Sequence, residues 1–221
     1  MFQHAVILAA GRGNRMRPLT DVIPKALAPF RGSTLIENSI LNFRNSAIKI
    51  HVTVGHLANV LASTLFRTNH VSSLLNTSGH DNAWWISNSI LRYINEPIIV
   101  LTCDNVTSLD LNFIETQYKD RGSPACMLVP VSPIPMVEGD HIFSSENGAI
   151  TQISRQEKSN LFASGIQVLN PAKTNSLVGD KENFYEVWQQ LIFRDELFAS
   201  EVYTKPWFSI DTLEQLMMDY D

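Results

Sequence analysis

Leu8-Ala9-Ala10-Gly11-Arg12-Gly13-Asn14-Arg15-Met16-Arg17-Pro18-Leu19-Thr20-Asp21-Val22-Ile23-Pro24-Lys25 is the stretch on which the reading of this chain turns. It continues an apolar run, Ala5-Val6-Ile7-Leu8, of the length and composition of a buried strand. Gly11 and Gly13 then open the backbone, and Arg12, Arg15 and Arg17 follow in quick succession. Pro18 and Pro24 stiffen the segment and Lys25 closes it. A strand running into a glycine-rich, basic loop suits phosphate. Glycine lets backbone N–H groups approach an anion closely, and guanidinium groups neutralise it.

Two common phosphate-binding patterns do not match. A dinucleotide fingerprint needs a third glycine where Met16 stands, and an acidic residue ending the second strand, which here ends Val54-Gly55-His56. The Gly-x-x-x-x-Gly-Lys-Ser/Thr loop is absent.

Composition narrows the classes further. A chain of 221 residues with 44% hydrophobic content can bury a sizeable core in one or two domains. No repeat, low-complexity tract or linker divides it, so one domain over residues 1–221 is expected. The formal net charge of −5 argues against a general nucleic-acid or anionic-membrane binder. A local basic cluster in an acidic chain suits a small anionic ligand instead. Two cysteines, Cys103 and Cys126, argue against a disulfide scaffold, and no Cys/His set has zinc spacing. The first residues lack the basic and apolar regions of a signal peptide, and no apolar run reaches ~18 residues. A cytoplasmic protein with no membrane partner is expected.

Strand and helix patterns alternate in the first half. Strands are expected at 4–9, Ile48–Val54, Val71–Leu75 and Pro97–Leu101. Helices are expected from Ser33-Thr34 (with Glu37 completing a capping box) to about Ser46, at Leu57–Phe66 and at Ala83–Tyr93. Asn76–Asn82 reads as a polar loop. This alternation implies a parallel sheet with helices on both faces. The second half turns to strands at Cys126–Val131, His141–Phe143, Ala149–Ile153 and Ala163–Leu169. Helices return at Asn183–Phe193 and Asp211–Met218, with a strand near Phe198–Tyr203. The expected fold is α/β with a mixed, mostly parallel central sheet, and ligands in such folds sit beyond the carboxyl ends of the strands.

The motif L-A-A-G-x-G-x-R-M-x-P-L-T-x-x-x-P-K resembles the signature of the sugar-phosphate nucleotidyltransferases almost letter for letter. The resemblance implies a Rossmann-like three-layer sandwich, the nucleotide-diphospho-sugar transferase fold, in a length typical of members without an appended β-helix domain. It implies that Leu8, Ala10, Gly11, Gly13, Asn76 and Asn82 bind nucleotide, and that Arg15 and Lys25 act on the phosphates. Asp104 stands just past an apolar strand, where the family carries a Mg²⁺ ligand; Cys103 replaces the usual glycine before it. Glu157, Lys158 and Gly165 resemble the acceptor segment I-x-x-x-E-K-(P)…G, without its proline.

Two departures point toward the phosphocholine cytidylyltransferase branch. The Asn76–Ser87 segment is rich in asparagine and carries Trp84 and Trp85 in place of family glycines. One of these tryptophans is expected in the core, and either could stack on a base or a cationic headgroup. Near the end, Trp207-Phe208-Ser209-Ile210-Asp211-Thr212 puts Ser209 where the family has a second metal-binding aspartate. Asp211 is then either that second ligand or the N-cap of the final helix, with Glu214 completing its box.

The implied reaction joins a nucleoside triphosphate to a phosphate-monoester acceptor with Mg²⁺. A sugar 1-phosphate leads as acceptor, with phosphocholine-like phospho-alcohols second. A non-catalytic nucleotide-sugar sensor is the alternative from another class. The base and the oligomeric state stay open.

Overall fold

Nine strands form the central sheet of the computed structural model, which describes residues 2–68, 70–135 and 137–218. Strands β1 (His4–Leu8), β2 (Lys49–Val54), β3 (Ser73–Asn76) and β4 (Ile98–Thr102) are parallel, in the order β4-β1-β2-β3. The others are β5 (Cys126–Val131), β6 (His141–Ser144), β7 (Ile150–Ser154), β8 (Phe162–Leu169) and β9 (Leu197–Ala199). Strand β8 runs antiparallel to β4 on one side and to β5 on the other. Strand β9 joins β5 in parallel, and β6 and β7 extend the sheet as an antiparallel pair. The sheet is therefore mixed, as the change of pattern midway along the sequence implies.

The parallel strands are apolar on both faces because both faces are covered. Ala5 and Ile7 enter one core with Val52, Leu101 and Ile36, whereas Val6 enters the other with Val100, Ile98 and Leu128. Helices α1 (Leu35–Leu41), α2 (Ala58–Leu65), α3 (Leu111–Asp120), α4 (Pro171–Val178), α5 (Phe184–Ile192) and α6 (Leu213–Met217) flank or close the sheet. The capping box of α1 forms as expected: Glu37 N–H donates to Thr34 Oγ1, and Thr34 N–H donates to Glu37 Oε2.

Several elements differ from the sequence expectation. Helix α1 ends at Leu41 rather than near Ser46, and the chain continues in turns. The segment Ala83–Tyr93 is not one helix. Ser89 is extended and its hydroxyl accepts from Leu91 N–H, which separates a short turn, Trp85–Asn88, from a 3-10 turn, Ile90–Tyr93. A serine offers the backbone a competing partner in this way. The strand expected to reach Tyr203 stops at Ala199; the Tyr203 hydroxyl instead accepts from Asp110 N–H at the start of α3. Helices α3 and α4 were not marked by the sequence pattern.

Beyond β1 the chain moves outward to β2 and β3, then returns to place β4 on the other side of β1. The connections thus diverge between β1 and β4, leaving a crevice at their carboxyl ends. Leu8 pairs with Thr102 at that point, so the loop after β1 and the turn containing Asp104 face one another across it.

Candidate active site

The loop after β1 is shaped by a few local bonds. The carbonyl of Gly13 accepts from Met16 N–H and from the Thr20 hydroxyl. Gly13 lies at φ +61, and a Cβ there would sit 2.9 Å from Lys25 Cβ and 3.0 Å from Thr20 Cγ2. Glycine is therefore required both by the backbone angle and by the close passage of Lys25. Among the described residues, the N–H groups of Gly11, Arg12 and Gly13 have no acceptor within the protein. Such unpaired donors at the rim of a cavity are available to an anion.

Lys25 is the hub. Its ammonium donates to Asp104 Oδ2 at 2.5 Å and to Asp211 Oδ1 at 2.8 Å, with 11% of its side chain exposed. Arg15 also reaches Asp211 Oδ1, at 2.9 Å. Burial alone would lower the Lys25 pKa, but the carboxylates of Asp104 and Asp211 reverse this and hold it above the ordinary lysine value. Asp211 is likewise partly buried, which alone would raise its pKa, yet Lys25 and Arg15 keep it below the ordinary aspartate value. Lys25 is therefore a fixed positive charge at neutral pH.

How Asp211 reaches this point is a matter of pairing. A two-stranded ribbon joins Asn105–Thr107 to Trp207–Ser209, antiparallel, with Ser209 opposite Asn105. Ile210 N–H then donates to the Asp104 carbonyl at 3.0 Å, which sets Asp211 beside Asp104. The N-cap of α6 is Thr212, boxed with Gln215, rather than Asp211 with Glu214. The Asp211 carboxylate is thereby free of the helix end and faces Lys25. Ser209 is buried and its hydroxyl donates to Asp211 Oδ2 at 3.2 Å.

These groups line a cavity of about 450 Å³. Gly11, Gly13, Arg15, Lys25, Asp104 and Asp211 form its charged end, and Leu8 and Ala10 line it too. Thr77, His80, Asp81, Asn82 and Trp85 complete the lining. The sequence reading did not single out Thr77 or His80, which carry no motif. Asn76 does not line the cavity; its side chain accepts from Ser78 N–H in the turn. Trp85 is fully buried, its indole N–H donating to the Asn82 carbonyl, and Trp84 stacks on His80.

A second cavity, about 840 Å³, adjoins the first through Asp81 and Asn82. Glu157 lines it and accepts from Gln152. Lys158 is exposed and lines neither cavity, so the structure does not bring it to Lys25. Gly165 sits at an irregularity in β8, at φ +80. A Cβ there would meet Thr102 Oγ1 at 2.9 Å and Asn105 Nδ2 at 3.0 Å, so glycine permits β8 to pass close to the Asp104 turn. Cys103 is buried beside Asp104; burial and that carboxylate push its thiol up to about 12, which makes it inert as a nucleophile. Both cysteines are free.

The family model described as nucleotidyl transferase matches residues 4–182. The chain belongs to that family. Among curated relatives, the bifunctional protein GlmU of Lactococcus lactis subsp. lactis (strain IL1403) is 24% identical over 194 residues, covering 86% of this chain and 41% of that protein. The glucose-1-phosphate adenylyltransferase of Pseudarthrobacter chlorophenolicus is 24% identical over 216 residues, covering 89% and 44%. The chain thus spans less than half the length of these two relatives. Among solved structures, the inositol-1-phosphate CTP transferase from T. maritima superposes with a TM-score of 0.78 at 17% identity, covering 97% of this chain and 91% of that one. The CTP:phosphocholine cytidylyltransferase from Streptococcus pneumoniae gives 0.74 at 20% identity, covering 97% and 96%. These two likenesses establish a shared nucleotidyl transferase fold. No helix among the described residues is long and apolar enough to cross a membrane.

Proposed function

We propose that this protein transfers a nucleotidyl group from a nucleoside triphosphate to a sugar 1-phosphate, releasing pyrophosphate. One observation carries the reading: Lys25, Arg15, Asp104 and Asp211 meet at the charged end of one cavity, beside a loop with unpaired N–H donors. In this mechanism an acceptor phosphate oxygen attacks the α-phosphorus in line; one P–O bond forms as the bond to the leaving pyrophosphate breaks. The acceptor is largely dianionic near pH 7, because its second pKa is about 6, so no general base is required. The protein's work is to bring two repelling anions together and to stabilise the charge that develops on pyrophosphate. The Gly11–Gly13 amides and Arg15 hold the triphosphate, and Lys25 supplies a permanent charge at the reacting end.

Asp104 and Asp211 suit Mg²⁺. Both carboxylates already converge on a single cation, Lys25 Nζ, and Mg²⁺ takes one or two protein carboxylates with phosphate and water oxygens completing its shell. Among the described residues, no group of three His, Cys, Asp or Glu could hold a metal without such outside ligands. When bound there, Mg²⁺ would supply charge neutralisation to the phosphate oxygens.

A second reading, a cytidylyltransferase for a phospho-alcohol such as phosphocholine, is favoured by the adjoining cavity. Asp81, Asp140, Glu157, Tyr185 and Trp188 line it, and its one arginine, Arg155, is engaged by Asp140 at 3.1 Å. Carboxylates and aromatic faces suit a cationic headgroup. Pyrophosphate release measured over a panel of nucleotides, sugar 1-phosphates and phosphocholine, with Mg²⁺, decides between the two. Nucleotide binding without release in any combination would identify a sensor instead. Release unchanged in both Arg15→Ala and Asp104→Ala would refute the catalytic assignment.

A further inference from the structure

The cavity is lined by two unlike sets of residues: Gly11, Gly13, Arg15 and Lys25 for phosphate, and the uncharged or aromatic groups of Thr77, His80, Asn82 and Trp85, which suit a nucleoside. His80, Asp81 and Asn82 belong to an irregular loop, so something outside the loop must set their positions.

That support comes from the segment before α5. Glu182 lines neither cavity, and its side chain is exposed. Its Oε1 is 3.2 Å from His80 Nδ1, and its Oε2 accepts from Asp81 N–H at 3.2 Å. Its carbonyl accepts from Ala83 N–H at 2.9 Å and Trp84 N–H at 3.2 Å. The neighbours add to this: Phe184 N–H donates to Asn82 Oδ1 at 2.9 Å, and Asp180 accepts from Ser87 Oγ and Asn88 Nδ2. The His80 ring is held between the Glu182 carboxylate and Trp84, stacked at 4.1 Å and 11°.

We infer that Glu182 is a positioning residue for the nucleoside, acting through His80 and Asp81. A carboxylate facing Nδ1 accepts a hydrogen bond from that nitrogen's proton and fixes the orientation of the imidazole. Among the described residues Nε2 has no protein partner, so it is available to a polar edge of the base. Without Glu182 the loop must be ordered by the ligand itself, and that ordering weakens binding. The residues assigned to the reacting phosphates, Arg15, Lys25, Asp104 and Asp211, bond one another, and no hydrogen bond or ion pair joins them to Glu182, His80 or Asp81. Binding should therefore suffer and turnover should not.

The inference rests on the nucleotidyl-transfer reading, and the experiment separates the two. Calorimetric titration of the wild-type protein with ATP, CTP, GTP, UTP and dTTP, each with Mg²⁺, identifies the nucleotide bound. Glu182→Ala should then raise its Kd and KM about three- to fivefold, the scale of losing one solvent-exposed ion pair, and leave kcat within about twofold. Glu182→Gln keeps one acceptor oxygen for two donors and should recover part of the loss. His80→Ala and Glu182→Ala should be non-additive in Kd. An unchanged KM in Glu182→Ala, even with a lowered Tm, or a fall in kcat at constant KM, overturns the positioning role while leaving the proposed function standing. Wild-type protein that binds none of the five nucleotides overturns the proposed function, and the positioning role with it.

Discussion

Lys25→Met is the most searching perturbation of the site. Methionine keeps an unbranched stem beside Gly13 but removes the ammonium. Asp104 and Asp211 are then left facing one another, with side chains only 17% and 16% exposed and Arg15 touching only Asp211. Removing one partner from a buried ion pair costs about 3 to 5 kcal/mol, because the remaining charge stays desolvated. Arg15 compensates in part, so we expect about 3 kcal/mol, or a Tm lower by roughly 10 °C for a domain of this size. The effect should depend on pH. With Lys25 present, Asp211 is held below its unfolded pKa, so its contribution is complete above the unfolded value and is lost as pH falls through the folded one. Without Lys25, two adjacent carboxylates cannot both ionise easily, and one folded pKa rises above its unfolded value. The variant should therefore fall further behind wild type as pH rises from about 4 toward neutrality. Urea unfolding followed by circular dichroism at several pH values measures this, and pyrophosphate release should fall by about 100-fold or more. A variant that unfolds like wild type at pH 7 and releases pyrophosphate at the wild-type rate would refute the central role given to Lys25.

Asp211→Asn should cut turnover by about 100-fold, whereas Ser209→Ala should stay within about threefold, since a neutral hydroxyl supplies little to phosphoryl transfer; the reverse order would transfer the role to Ser209. Gly13→Ala should destabilise the protein by about 1 to 3 kcal/mol, from the left-handed backbone and the 2.9 Å approach to Lys25 Cβ, and weaken nucleotide binding, as thermal unfolding and calorimetry would show. Burial, then His4 and Lys49, lower the His51 pKa to about 4, so the unfolded chain binds its proton more readily between about 4 and 6.5. Stability should climb by about 3 kcal/mol as pH rises through that window, and His51→Gln should flatten the slope in urea titrations. Cys103 should resist alkylation at pH 8 in the folded protein and react once it is unfolded, as mass spectrometry would record.

The local features were legible because their causes are local. The apolar run of β1, the capping box at Thr34, the apolar run Ile98–Leu101 of β4 and the all-apolar β5 follow from periodicity and short-range bonding. Lys25 and Asp104 were visible because a motif surrounds each. The sequence misled at Ser89, which broke an apparent helix by capping its own turn, and it left Asp211 open between the helix end and the charged site; Thr212 took the helix end.

Sequence alone determined that a glycine-rich loop follows the first strand, and that its charges are basic. Only tertiary structure decided what those charges meet. Asp211 contacts Lys25 across 186 residues because Ser209 pairs with Asn105, and Glu182 reaches His80 across 102 residues. Neither pairing leaves a mark on hydrophobic period or turn chemistry, since both are set by strand register and by where the chain reverses direction across the sheet.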